Sequence, residues 1–206
     1  MTHVHLPLAA LATAILAAVP TSIRAQHPWA GLSADAQIAL AVRAAPPEMA
    51  AGATVQGYDA SGAFVVLREG TNGLVCMAPD PKRDDFEVSC HHAGLEPFFE
   101  RGRELSAQGV SGQERIRRRW EEFTAGTLPI PYGSVNYILT GSGFDPDTHE
   151  VRDPYLRWTI YTPNATPEST GLSAQPAPGA PWLMFPGTPG SHIMVTPPRS
   201  GGGAGD

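Results

Sequence analysis

Cys76 and Cys90, the chain's two cysteines, stand 14 positions apart, and they constrain the fold more than any other feature. What they form depends on the compartment. Upstream, Leu6–Val19 is an apolar run shorter than the roughly 20 residues that span a bilayer as a helix. Pro20 ends it, and Ile23-Arg24-Ala25 follows. This is the layout of a secretory signal peptide cleaved after Ala25. Residues 1–25 are therefore read as a leader, 26–196 as one globular domain, and 197–206, "PPRSGGGAGD", as a disordered tail. The expected location is periplasmic or secreted, with no membrane span once the leader is removed.

An exported chain matures in an oxidising compartment, where an isolated cysteine pair at this spacing reads as a disulfide. A zinc site built from two cysteines and two histidines needs reduced thiols and histidines several residues apart. His91 and His92 adjoin Cys90 and each other, which opposes that geometry. The reading is a Cys76–Cys90 bridge, no metal and no cofactor. The formal charge is −6, and loss of Arg24 with the leader makes it one unit more negative. Such a chain does not suit phosphate-backbone binding, so no nucleic-acid partner is expected. The 21 prolines and 22 glycines cluster in loops and imply a loop-rich domain.

Ser33 is placed to cap a helix carrying Ile38, Ala41, Val42 and Ala45 at helical spacing, with Pro46-Pro47 as its stop. The period then changes to two. Residues 54–59, 63–69 and 73–79 read as strands, the last two joined as a hairpin through "GTNG". The apolar run Phe64–Leu67 suggests a strand covered on both faces. A helix starts near Pro97, and a second opens at Ser111 with Glu114 three residues on, a capping-box pattern. Strands at 134–141, 155–162, 182–187 and 192–197 complete the chain. The fold expected is α+β: a mostly antiparallel sheet of six to seven strands with three helices packed on one face.

Common catalytic motifs fail on named residues. Gly109-Val110-Ser111-Gly112-Gln113 lacks the last glycine of a nucleophile elbow. A calcium loop counted from Asp145 would need Gly at 150 and Glu at 156, where Glu150 and Leu156 stand. In "ERIRRRWEEF", the helical pairs Glu114–Arg118, Arg117–Glu121 and Arg118–Glu122 describe a solvated, charge-laced face rather than a nucleic-acid footprint.

Three stretches, "LREGTNGLVCMAPDP", "CHHAGLEPFFERGRELSAQG" and "APWLMFPGTPGSHIMVTPP", resemble a group of uncharacterised exported bacterial proteins. These share an R-E-G-T-N-G turn before a cysteine and a P-G-T-P-x-x-H segment near the end. The resemblance implies export and a common fold, and it brings no catalytic role. Read physically, "EGTNG" is a turn in which Asn72-Gly73 can take positive φ, and "PGTPGSH" is a tight connection into the last strand. The candidate binding residues are Thr71, Asn72, His91, His92, Thr188 and His192, and turn chemistry alone also accounts for the two loops. The expected function is a non-catalytic domain that binds an envelope or extracellular ligand, using exposed Tyr137, Thr159 and Tyr161 beside these loops. The alternative is a secreted hydrolase with His91, His92 or His192 as acid–base group.

Overall fold

A computed structural model describes Met1 and residues 28–177 and 179–199. The expected leader, beyond Met1, and the tail from residue 200 lie outside the described residues. Of the expected tail, 197–199 are described: the Tyr155 hydroxyl donates to Pro197 O at 3.0 Å, and the Arg199 guanidinium lies 4.3 Å from the Tyr155 ring centre.

Helix α1 (Ala34–Ala41) begins where Ser33 Oγ accepts from Ala36 N, and a 3₁₀ turn, Val42–Ala44, extends it. Pro47 opens a short second helix, α2 (Pro47–Ala50). Strands β1 (Thr54–Tyr58), β2 (Phe64–Arg68), β3 (Leu74–Met77) and β4 (Phe86–His92) follow, then α3 (Glu96–Ala107) and α4 (Gly112–Thr124). The rest comprises β5 (Val135–Gly141), β6 (Gly143–Phe144), β7 (Val151–Arg152), β8 (Tyr155–Tyr161), α5 (Pro167–Thr170), β9 (Trp182–Met184) and β10 (His192–Val195). Eight strands form one sheet in the order β2-β1-β3-β4-β5-β8-β10-β9, while β6 and β7 make a separate ribbon. Every pairing in the large sheet is antiparallel except β1 with β3. The chain is thus α+β with a mostly antiparallel sheet, as expected, but with eight strands rather than six to seven and five helices rather than three. No described helix is long and apolar enough to cross a membrane.

Three expectations change. First, β2 and β3 are not a hairpin. The chain crosses the start of β1, where Thr71 N and Asn72 N both donate to Gly52 O at 2.8 and 3.0 Å, and β3 pairs β1 in parallel. Neither Asn72 nor Gly73 has a positive φ. The crossing depends instead on Gly70, where a Cβ would lie 2.2 Å from Thr54 N. Second, the apolar strand β2 is an edge strand, with Val66 47% exposed. Third, helices cover both faces of the sheet. α1 and its 3₁₀ turn pack on the side of Val55, Cys76, Val88, Cys90 and Leu139, whereas α3 lies on the side of His91.

Cys76 and Cys90 face each other across the β3–β4 register, with S–S at 2.07 Å. The side chains of Leu40, Val55, Leu74 and Phe86, at 0–2% exposure around this pair, each contribute about 1.5–3 kcal/mol by leaving water.

Candidate functional site

Because side chains alternate along a strand, one register line across the sheet shares a face. Val75, His91, Asn136, Thr159, Met194 and Trp182 form such a line over β3, β4, β5, β8, β10 and β9. All six are buried, and four of them are polar or carry an N–H. Glu96 stands where the chain passes from β4 through the 3₁₀ turn Ala93–Leu95 into α3, and Pro97 fixes the first helical turn. Its carboxylate accepts from His91 Nε2 at 2.7 Å, Gln56 Nε2 at 3.0 Å and Arg103 Nη2 at 2.5 Å. Burial pushes the Glu96 carboxyl upward, but the hydrogen bonds from His91 and Gln56 and the charge of Arg103 outweigh it and hold its pKa at about 2. An ionised carboxylate only accepts, so His91 Nε2 carries a proton. In the neutral ring, Nδ1 is then a lone-pair acceptor. The imidazole lies against Phe99 with ring centres 4.4 Å apart.

His91 Nδ1, Asn136 Oδ1, Thr159 Oγ1, Trp182 Nε1 and Gln56 Oε1 are buried without a hydrogen-bond partner among the described residues. The expectation that Thr159 lies exposed is therefore corrected: it is 4% exposed. Tyr161 is likewise packed on Phe98 at 5.8 Å between ring centres. Burial raises the Tyr161 hydroxyl to about 12 against the opposing charge of Arg119. Tyr137 is half-buried against the opposite core.

A second feature sits at the surface above these residues. α4 is amphipathic but has no buried residue. Ile116 and Trp120 line a shallow groove with Gln113, Glu114 and Pro189. Trp120 meets Phe185 edge-on at 5.5 Å, and Phe185 is 39% exposed at a left-handed φ of 53°. Gly190 makes the arrangement possible: a Cβ there would lie 2.4 Å from Trp120 Nε1. Rings then run inward from Phe185 to His192, Tyr161, Phe98, Phe99 and His91, with neighbouring centres 4.4–6.0 Å apart. The capping box at Ser111 is absent, since its side chain makes no cap bond. Glu114 pairs instead with Arg117 and Arg118. Arg117 also meets Glu121, while Glu122 turns to Arg101 rather than Arg118.

The sequence-predicted residues separate into three places. Thr71 and Asn72 belong to the β1 crossing; Asn72 Nδ2 donates to Met49 O at 2.8 Å and its Oδ1 accepts from Leu74 N at 3.1 Å. His92 is exposed and its Nδ1 accepts from Gly94 N. A Cβ at Gly73 would lie 3.8 Å from His92 Nε2, so this histidine adjoins the crossing loop. Thr188 Oγ1 donates to Phe185 O at 2.7 Å, closing the turn that presents Phe185. His192 begins β10, 9% exposed, with Nδ1 at 2.7 Å from Gly190 O. Burial lowers its pKa, with the Gly190 contact opposing. Strands β4 and β10 are separated by β5 and β8, three steps of about 4.8 Å, so the two loops do not make one compact site. His91 is fully buried within β4. A run of Cys-His-His hides the strand, because its partner Glu96 is supplied by the next helix.

Sequence reasoning missed Glu96, Asn136, Trp182 and Phe185 as members of either feature. The one visible signal was Phe185 set between an apolar strand and Pro186-Gly187. No family model, curated protein or solved structure matches the chain.

Proposed function

We propose that this protein is an exported, non-catalytic binding domain that recognises an envelope or extracellular partner through the surface formed by Ile116, Trp120, Phe185 and Pro189. The observation that supports this reading most is Phe185. A bulky aromatic residue is held half outside the molecule at a left-handed φ of 53°, a conformation that costs about 1–2 kcal/mol for an L-residue. Strained, exposed positions of this kind concentrate at functional sites. The neighbouring Trp120 is set on Gly190 and adds rigid contact area with little entropy to lose on binding. Around the apolar centre stand Glu114, Arg117 and Glu121, the polar rim that suits a specific interface. The sequence resemblance to exported proteins and the Cys76–Cys90 pair support the compartment.

The experiment compares wild type with Ile116→Asp and Phe185→Ser, each checked for unchanged melting. Photo-crosslinkers placed at Gln113 and Thr124 report which envelope component sits on the groove. Wild type should crosslink one defined partner, and both variants should lose it at least tenfold. Equal crosslinking by the variants overturns the proposal.

One observation favours the hydrolase reading: Glu96 orients His91 as a carboxylate orients a catalytic base, leaving Nδ1 to act. His91 is however 0% exposed, and neither His92 nor His192 shares its hydrogen-bond network. A hydrolase screen in which turnover is abolished by His91→Ala, and retained by Phe185→Ser, would establish that reading instead.

A further inference from the structure

We propose that His91, Asn136 and Thr159 form a buried binding slot for a small, neutral, polyhydroxylated molecule, separate from the aromatic surface. The three are consecutive on one register line of β4, β5 and β8. They are 0%, 5% and 4% exposed, and each carries an unpartnered polar atom: Nδ1, Oδ1 and Oγ1. Buried polar atoms are almost always satisfied in folded proteins, and leaving one unpaired is destabilising. Three side by side on adjacent strands are thus an expensive arrangement unless something answers all of them.

The chemistry of the guest follows from the donors and acceptors. The ionised Glu96 carboxylate accepts a hydrogen bond from His91 Nε2–H, which leaves Nδ1 as the acceptor of that tautomer. Asn136 Oδ1 also accepts, while the Thr159 hydroxyl both donates and accepts. A guest must therefore offer two hydrogens to the first pair and a further hydroxyl to the third. Neighbouring strands lie about 4.8 Å apart, which puts the outer members about 10 Å from each other, the reach of a short polyol chain. Charge argues for neutrality. The nearest carboxylate, Glu96, is already answered by Arg103 at 2.5 Å, and an added buried ion would stand without a counter-charge. Phe99, stacked on His91 at 4.4 Å, gives an apolar wall for C–H groups, the usual companion of a few convergent polar atoms in a ligand site. Trp182 lies on the same line beyond Met194, so the apolar methionine bounds the slot on that side.

Ordered water offers the same hydroxyl chemistry, and the test separates the two sources. Erythritol is titrated into full-length mature protein while the His91 ring nitrogens are followed by ¹⁵N NMR, with Thr159→Val and Phe185→Ser as comparisons. The expected result is a saturable shift of the His91 Nδ1 resonance, weakened at least tenfold by Thr159→Val and unchanged by Phe185→Ser. A crystal structure of wild type grown with erythritol provides a readout independent of any variant and should show the polyol against Nδ1, Oδ1 and Oγ1. Absence of a saturable shift, a shift of equal size in Thr159→Val, or density for water alone in the slot would each overturn the proposal.

Discussion

Replacing Glu96 by Gln isolates the group that joins α3 to the sheet. Its carboxylate accepts from His91 on β4, Gln56 on β1 and Arg103 on α3 itself. Its pKa falls from an ordinary 4.5 to about 2, and at about 1.4 kcal/mol per unit that difference corresponds to a ceiling of about 3 kcal/mol. The side chain is 21% exposed, so solvent screening trims the figure and about 2 kcal/mol is the working expectation. Because the folded-state pKa lies below the unfolded one, this contribution is complete above pH 4.5 and is lost as the pH falls toward 2. An amide keeps the shape and one acceptor while removing the charge. Urea titrations at pH 7 should therefore show the variant less stable by about 2 kcal/mol, a loss of order 4–8 °C in melting temperature for a domain of this size. The pH series carries the sharper prediction. Wild-type stability should decline between pH 4.5 and 2 with a component that the variant lacks, so the two curves converge in acid. Parallel curves over that range, or a pH 7 difference under 0.5 kcal/mol, would refute the account of Glu96 as a charged anchor.

Further outcomes follow from other contacts. Removing the bridge with Cys76→Ala and Cys90→Ala together should lower stability by about 3 kcal/mol in denaturant titration, and alkylation of the native wild type should find neither thiol reactive. Asn72→Ala removes the contacts to Met49 O and Leu74 N and should cost about 1–2 kcal/mol by calorimetry; unchanged melting would show the crossing loop to be held otherwise. Gly190→Ala puts a Cβ where the Trp120 indole lies and should cost about 1–3 kcal/mol with a shift in tryptophan emission. Phe185→Gly relieves about 1–2 kcal/mol of backbone strain but forfeits about 0.5–1.5 kcal/mol of aromatic contact and about 1–2 kcal/mol from the covered part of the ring, so stability should fall by only about 1 kcal/mol while partner capture fails.

Legibility from sequence followed the range of the forces involved. Ser33 as a cap, Pro97 at a helix start and the strands at 54–58, 64–68, 135–141 and 155–161 rest on local periodicity and backbone chemistry, and these could be read directly. Strand order could not. Nothing in "GTNG" distinguishes a hairpin from a crossing, since the decision lies in the close approach of Gly70 to Thr54. The chemistry of His91 is visible in the sequence but its burial is not, because that depends on α3 folding back over β4. Thr159, flanked by Trp158 and Ile160, looked like the solvent side of an alternating strand. In fact helices cover both faces, and alternation loses its meaning as an inside–outside code. The aromatic surface is hidden for the converse reason: Ile116 and Trp120 stand four residues apart, the spacing of a core-facing stripe, yet α4 has no buried residue.

The position of the Cys76–Cys90 bond also governs what a cut in the chain would do. Between these cysteines the polypeptide passes through an exposed stretch, Lys82–Asp85, and Lys82 is the chain's sole lysine. A lysine-specific protease therefore has one place to act, and that place lies inside the covalent loop. Scission there would leave the amino-terminal piece, carrying β1–β3, tied to the piece carrying β4–β10 by the sulfur bond and by the hydrogen-bonded ladder between β3 and β4. The protein is built so that it can persist as two polypeptides in one folded body, separable only when reductant and denaturant act together.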